Sequence, residues 1–285
     1  MGKQPTDHPT IATMYDFDKT LSTKDMQEFT FIPKVKMNPS DFWKGANKLT
    51  KENKMDGILA YMYQMIFKAK SEHVPIKRGA FVDLGKDVEF YQGVETWFDR
   101  ITTYGKMLDI DIEHYIISSG LREIIEGTRI YSKFKEVFAC EYFYDENDVA
   151  VWPKNVVNYT TKTQFVFRIN KGVLDISDDN SLNKYTPDEN RPVPFRNMIY
   201  IGDGLTDVPC MKLVKVNGGY SIAVYQEKQK AEDLIRDGRV NFIAKADYQE
   251  NSELDTFVRD IISKMAMEDN LKRRSEEQYK ESKQT

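Results

Sequence analysis

Asp16 and Asp18 stand one residue apart in Asp16-Phe17-Asp18-Lys19-Thr20, directly after the apolar run Ile11 to Tyr15. Alternation along an extended chain puts both carboxylates on one side. A carboxylate pair there can supply a nucleophile and a proton donor, or share a cation. Acidic pairs are common in loops, so this one gains meaning from two further segments. The run His114 to Ile117 leads into Ser118-Ser119-Gly120 and then into a helical pattern from Leu121 to Tyr131. Hydroxyls and free N–H groups at a helix start form an anion site that fits a phosphate; the plainer alternative is a serine that caps the helix. The run Asn197 to Ile201 leads into Gly202-Asp203-Gly204-Leu205-Thr206-Asp207. Its glycines permit a tight turn that points Asp203 and Asp207 into one crevice. Such an acidic cluster is repulsive without a hard cation, and oxygen-only ligands favour Mg²⁺.

Residues of this kind need strands that end together. Short apolar or β-branched runs at Ile11 to Tyr15, Tyr115 to Ile117, Met198 to Ile201, Ser221 to Val224 and Val240 to Ala244 read as strands. Most are separated by enough chain for a crossover helix, which predicts an α/β fold with a Rossmann-like parallel sheet. Ligands of such sheets bind beyond the carboxyl ends of the strands, where the three polar segments fall. Between Leu21 and about Phe90 no strand pattern occurs; Met55, Ile58, Leu59, Met62, Met65, Ile66 and Ala69 repeat at helical spacing instead. This predicts a helical module inserted after the first strand. Residues 141–159, with the turn-rich Asp145 to Asp148, predict a hairpin or flap. Residues 177–194 read as an exposed loop, and the charged stretch after Met267 as a fraying helix or disordered tail.

The 285 residues correspond to about two domains at ~150 residues each. The spacing divides them into a discontinuous α/β core (1–22 and 90–267), a helical insertion (23–89) and a charged tail (268–285). With 41 basic against 45 acidic residues the net charge is −4, unlike the basic face of a nucleic-acid binder. No run approaches the ~18 apolar residues of a membrane span, and the polar start lacks the apolar centre of a signal peptide. The first six residues fit the loose acylation pattern M-G-x-x-x-[ST], a match short enough for chance. Cys140 and Cys210 form no CxxC pair, so the expected setting is reducing and cytoplasmic. His8, His73 and His114 lack metal-ligand spacing, and Cys210 reads as a small buried residue.

Taken in order, DFDKTLS, IISSGLR and IGDGLTD resemble the first, second and fourth motifs of the haloacid dehalogenase-like hydrolases, most closely the phosphoserine phosphatase-like branch. The resemblance runs from about Thr10 to Ala246. It implies a Mg²⁺-dependent phosphatase for a small phosphorylated metabolite, with Asp16 as nucleophile and Asp18 as general acid and base. Asp16, the Asp18 backbone carbonyl and Asp203 would hold the metal. Ser118, Ser119 and Gly120 would bind the phosphoryl group. The third motif is a lysine, for which Lys162 is the best match, with Lys154 and Lys171 nearby. Asp207 would orient Lys162 or a metal-bound water, and Thr20 would stabilise the turn. The insertion resembles that branch's helical cap, with hinges at 21–24 and 89–93.

An acidic residue shortly after motif one contacts the substrate amine in phosphoserine phosphatases, and Asp25 stands there; it can equally cap the first inserted helix. Arg78 is the candidate for binding a substrate carboxylate. Trp43, Tyr61 and Tyr63 are candidates for the cap's inner face. The leading substrate is phosphoserine or a similar amine-bearing phosphate. Phosphotransfer, or hydrolysis of nucleotide, sugar or choline-type phosphates, is the alternative within the same chemistry. A receiver-like signalling module or a non-catalytic binding protein is the alternative outside it.

Overall fold

The computed structural model describes residues 8–283, so the N-terminal acylation pattern lies outside the described residues. A seven-stranded sheet organises the chain in the order β4-β3-β2-β1-β5-β6-β7. The strands are β1 (Thr10–Tyr15), β2 (Asp111–Leu121), β3 (Glu136–Tyr144), β4 (Ala150–Asn155), β5 (Met198–Gly202), β6 (Tyr220–Tyr225) and β7 (Phe242–Lys245). All neighbours pair in parallel except β3 with β4. This is the expected α/β Rossmann-like architecture. Strand β1 lies between β2 and β5, and its residues Ile11, Ala12, Met14 and Tyr15 are all fully buried. Burial on both faces is why its sequence is a continuous apolar run and does not alternate.

Between β1 and helix α6 (Val94–Lys106) lie α1 (Met26–Phe29), α2 (Phe31–Lys34), α3 (Pro39–Asn53), α4 (Gly57–Ser71) and α5 (Arg78–Asp83). Helix α3 starts with Asn38, whose side chain accepts from Asp41 N, followed by proline at the first helical position. Asp56 caps α4 through Ile58 N and Leu59 N. The predicted methionine stripe is core in its second half, where Met62, Met65 and Ala69 are fully buried, while Met55 and Ile58 are half-buried and Leu59 is exposed. The chain leaves and re-enters the sheet through one neck. Ser22 and Phe90 form an antiparallel bridge, Thr23 N donates to Glu89 O at 3.0 Å, and Tyr91 N donates to Leu21 O at 3.0 Å.

Several expectations are corrected. Strand β2 runs eleven residues and includes Ser118, Ser119 and Gly120, so these lie at a strand end and not at a helix start. The helix expected from Leu121 to Tyr131 is only α7 (Arg122–Glu126). The hairpin expected at 141–159 is present as the end of β3 paired with β4, but β3 begins at Glu136 as a parallel strand beside β2. Its mixed composition, EVFACEYFY, hides that first half. The 177–194 loop contains the short α9 (Asp179–Asn183) and is pinned by buried Arg168 of α8 (Lys162–Lys171). The Arg168 guanidinium donates to the carbonyls of Asp175 and Ile176 and to Asp179. Helices α10 (Val208–Val216) and α11 (Lys228–Arg236) follow β5 and β6. The charged end is helical: α12 runs unbroken from Glu253 to Ser282, buried at Leu254, Val258, Ile261, Ile262 and Met265 and exposed from Asn270 onward. No helix of the described residues is long and apolar enough to cross a membrane.

Candidate active site

The ends of β1, β2 and β5, three adjacent strands, open onto one cleft of about 320 Å³. Asp16 follows β1 directly, and its N–H donates to Ile201 O at 2.9 Å, which ties it to β5. Lys162, the first residue of α8, is fully buried, and its Nζ lies 2.9 Å from Asp16 Oδ1 and 2.7 Å from Asp207 Oδ1. The alternatives to Lys162 are engaged elsewhere: Lys154 pairs with Glu141, and Lys171 donates to the carbonyls of Leu182 and Lys184.

Asp207 is saturated by the protein. Its Oδ1 also accepts from Tyr200 OH at 2.8 Å, and its Oδ2 accepts from Gly204 N at 3.3 Å. This close packing explains Gly202, where an added Cβ would stand 2.6 Å from Asp207 Cγ. Thr20 is buried in the turn after β1, and its hydroxyl approaches Asp203 Oδ1 at 3.5 Å. One carboxylate oxygen from each of Asp16, Asp203 and Asp207 lies within 4.8 Å of the others. Asp207 already holds an ammonium and two further donors, which leaves Asp16 and Asp203 as the carboxylates with capacity for a cation.

The electrostatics match that division. Burial first, and then the Asp207 charge, raises Asp16 to about 6 against the pull of Lys162. Burial, Asp207 and Asp16 together raise Asp203 to about 8. Burial opposes the Lys162 charge, yet Asp16 and Asp207 hold the ammonium well above its ordinary range. Asp18 is raised well above the usual carboxylate range by burial, then by Asp25 and Asp16. A hard dication beside Asp16 and Asp203 would relieve this crowding, and the all-oxygen donor set suits Mg²⁺.

At the end of β2, Ser118 Oγ accepts from Gly120 N at 3.0 Å. Ser119 Oγ is buried without a partner among the described residues, although both serines line the cleft. Gly120 permits a close approach: a Cβ there would meet Met26 Cε at 2.1 Å and Asp18 Oδ2 at 3.0 Å.

The other expected site residues divide. Asp25 lines the cleft and occupies the N-cap position of α1 but caps nothing with its side chain; it pairs with Lys19 Nζ at 2.6 Å. The cap is Asp18, whose Oδ1 accepts from Met26 N at 2.8 Å. Arg78 does not line the cleft and is ion-paired to Glu126. Trp43 and Tyr61 line the cleft, whereas Tyr63 is absent from its wall and stacks on Phe67. His114 is a buried structural residue, held by Tyr15, Thr102 and the Phe98 carbonyl. Burial pushes both cysteine thiols up to about 12. Sequence reasoning did not anticipate Lys19, Gln27 or Tyr200 as parts of the site. Tyr200 sits inside an apolar strand run, where nothing distinguishes it from a core tyrosine.

A parallel sheet with acidic and hydroxyl side chains at the ends of its central strands defines a Rossmann-like α/β scaffold and no more; sequence comparison makes the family definite. Residues 13–212 match the haloacid dehalogenase-like hydrolase family, and the chain belongs to it. An uncharacterized protein of Borreliella burgdorferi is 28% identical over 280 residues, covering 88% of this chain and 96% of that one. Among solved structures, a HAD family hydrolase from Salmonella enterica serovar Typhi superposes with a TM-score of 0.56 at 16% identity, covering 86% of this chain and 71% of the other. A substrate-bound phosphoserine phosphatase gives a TM-score of 0.54 at 13% identity, covering 85% and 96%. A probable phosphoserine phosphatase from Vibrio cholerae gives 0.58 at 10% identity, covering 93% and 69%. At these identities the structural likeness speaks to fold alone.

Proposed function

We propose that the chain is a Mg²⁺-dependent phosphomonoester hydrolase that works through an aspartyl-phosphate on Asp16 and takes a small phosphorylated metabolite as substrate. The observation that carries this reading is Lys162: a fully buried ammonium bridging Asp16 and Asp207 on the wall of a cleft that also holds Asp18, Asp203, Ser118 and Ser119. Membership of the hydrolase family supports it.

Asp16 Oδ attacks phosphorus while the bond from phosphorus to the leaving oxygen breaks. Asp18, pushed well above the usual carboxylate range by burial and then by Asp25 and Asp16, gives its proton to that oxygen. Asp18 then takes a proton from water as the water attacks, and the bond from phosphorus to Asp16 breaks to release phosphate. Lys162 and the Ser118 and Ser119 groups hold the phosphoryl oxygens, with Asp207 and Tyr200 fixing the Lys162 ammonium. A Mg²⁺ ion held by Asp16, Asp203 and the Asp18 main-chain carbonyl would offset the repulsion between the anionic nucleophile and the anionic substrate.

The test is release of nitrophenol from p-nitrophenyl phosphate with Mg²⁺, with EDTA, and by Asp16→Asn. Release by the Mg²⁺-loaded wild type alone is expected. Equal release by Asp16→Asn, or indifference to EDTA, would sink the mechanism.

A further inference from the structure

Resting on that reading of the cleft, we infer that Tyr61, on the inserted helix α4, is a positioning residue for the hydroxyl that Ser118 offers to the phosphoryl group, and that it acts through the peptide joining Ser119 to Gly120. Both ends of that peptide are held. Its carbonyl, Ser119 O, accepts from Tyr61 OH at 2.7 Å, and Cys140 Sγ stands 3.3 Å from the same oxygen. Its amide, Gly120 N, donates to Ser118 Oγ at 3.0 Å. Tyr61 is 4% exposed and Ser118 is fully buried.

The direction of this row of bonds decides what Ser118 can do. Its Oγ accepts from the Gly120 amide, its one partner among the described residues, so the hydroxyl hydrogen is left to donate, and the serine lines the cleft. The oxygens of a phosphate dianion only accept, so a serine fixed as a donor suits them. Burial holds the Tyr61 hydroxyl well above its ordinary range, and the tyrosine therefore keeps the proton that it gives to Ser119 O. Hydrogen bonds in a row polarise one another: a donor on the carbonyl makes the amide of the same peptide a stronger donor. A donor already aimed stabilises developing charge without reorganising.

Two other bonds that seat α4 on the core end elsewhere. Met62 O accepts from Tyr142 OH of β3 at 2.7 Å, and Asp56 Oδ2 accepts at 3.0 Å from Nδ2 of Asn158, just before α8. Neither reaches Ser118. The Tyr61 ring is held separately, edge to face with Trp43 at 6.0 Å between centroids. Removing the hydroxyl alone therefore takes away the bond to Ser119 and leaves the ring in its packing. Through Tyr61, the seating of the inserted segment and the presentation of the Ser118 hydroxyl become one event.

The experiment is a double-mutant cycle on kcat/KM for p-nitrophenyl phosphate, repeated on the binding of orthovanadate to the Mg²⁺-loaded protein by calorimetry, which needs no turnover. Tyr61→Phe should lower kcat/KM and vanadate affinity about tenfold in the wild-type background, the effect of one lost hydrogen bond, and less than about twofold in Ser118→Ala. Tyr142→Phe, which loosens α4 without touching this peptide, should change both quantities by the same factor in either background. Equal losses from Tyr61→Phe with and without the Ser118 hydroxyl would overturn the inference, as would wild-type behaviour of Tyr61→Phe. If the wild type neither hydrolyses the ester nor binds orthovanadate, the phosphatase reading itself fails, and the inference with it.

Discussion

The main-chain amide of Met26 donates to Asp18 Oδ1 at 2.8 Å, so the first turn of the inserted helices holds the carboxyl proposed to move the proton. The same carboxyl is buried and pushed well above the usual range. Replacing this carboxyl by an amide should therefore cost catalysis without costing the fold. Asp18→Asn is expected to lower kcat on an aryl phosphate by about 10²-fold or more while the thermal midpoint stays level or rises. A parallel fall in melting temperature and rate would assign Asp18 to structure instead.

Lys162 makes the opposite prediction. Its ammonium is the shared partner of two buried carboxylates. Lys162→Met leaves both uncompensated, which should cost about 3 kcal/mol in urea unfolding and most of the activity. Adding Asp207→Asn to Lys162→Met should restore part of the stability and none of the turnover. A stable, active Lys162→Met protein would remove the lysine from the site.

Mg²⁺ binding should release protons. With Asp16 raised to about 6 and Asp203 to about 8, the cation-free protein still carries protons on these groups near neutrality. The sign follows: both folded values lie above the unfolded one, so their contribution to stability is present at low pH and lost as pH rises through 6 and 8. Mg²⁺ affinity must therefore climb with pH between about 6 and 8. Calorimetry at pH 7 in two buffers of different ionisation enthalpy should give different apparent enthalpies, and Asp203→Asn should narrow the difference. Identical enthalpies in the two buffers for the wild type would contradict the prediction.

His114 sets a second pH limit. Burial, outweighing the Phe98 carbonyl and Asp99, lowers it to about 4 from the ordinary 6.5. Above 6.5 it is neutral folded or unfolded; below that the unfolded chain takes up the proton first, and stability falls until about pH 4. Relative to His114→Gln, the wild type should lose ~3 kcal/mol of unfolding free energy between pH 7 and 4. Parallel pH profiles for the two proteins would show that His114 does not titrate this way.

Much of the site is visible in the chain because each polar cluster directly follows a buried strand, and strands betray themselves by unbroken apolar runs. The positions of Asp16, Asp18, Asp203 and Asp207 follow from that rule. Lys162 is harder, since a lysine at a helix start has no distinguishing neighbour, and only the 146-residue separation closed by the fold brings it to Asp16. Ser118 to Gly120 lie on a strand where the pattern predicts a helix start, because small polar residues end strands and start helices equally well. Arg78 and Asp25 show the further limit: which charge finds which partner is decided by contacts such as Arg78 with Glu126 and Lys19 with Asp25, and local pattern carries no trace of the first.

The neck at Ser22 and Phe90 has a further consequence. Because the outgoing and returning strands are already zipped together there, the sheet does not depend on the intervening 67 residues for its connectivity. A short turn could join the two sides without re-threading the chain. Residues 23–89 also rest on the core away from the neck, through the Lys77–Val149 bridge and Phe81 stacked on Tyr142, so a different helical segment joined at this junction would have to cover those surfaces as well as change what is admitted to the cleft.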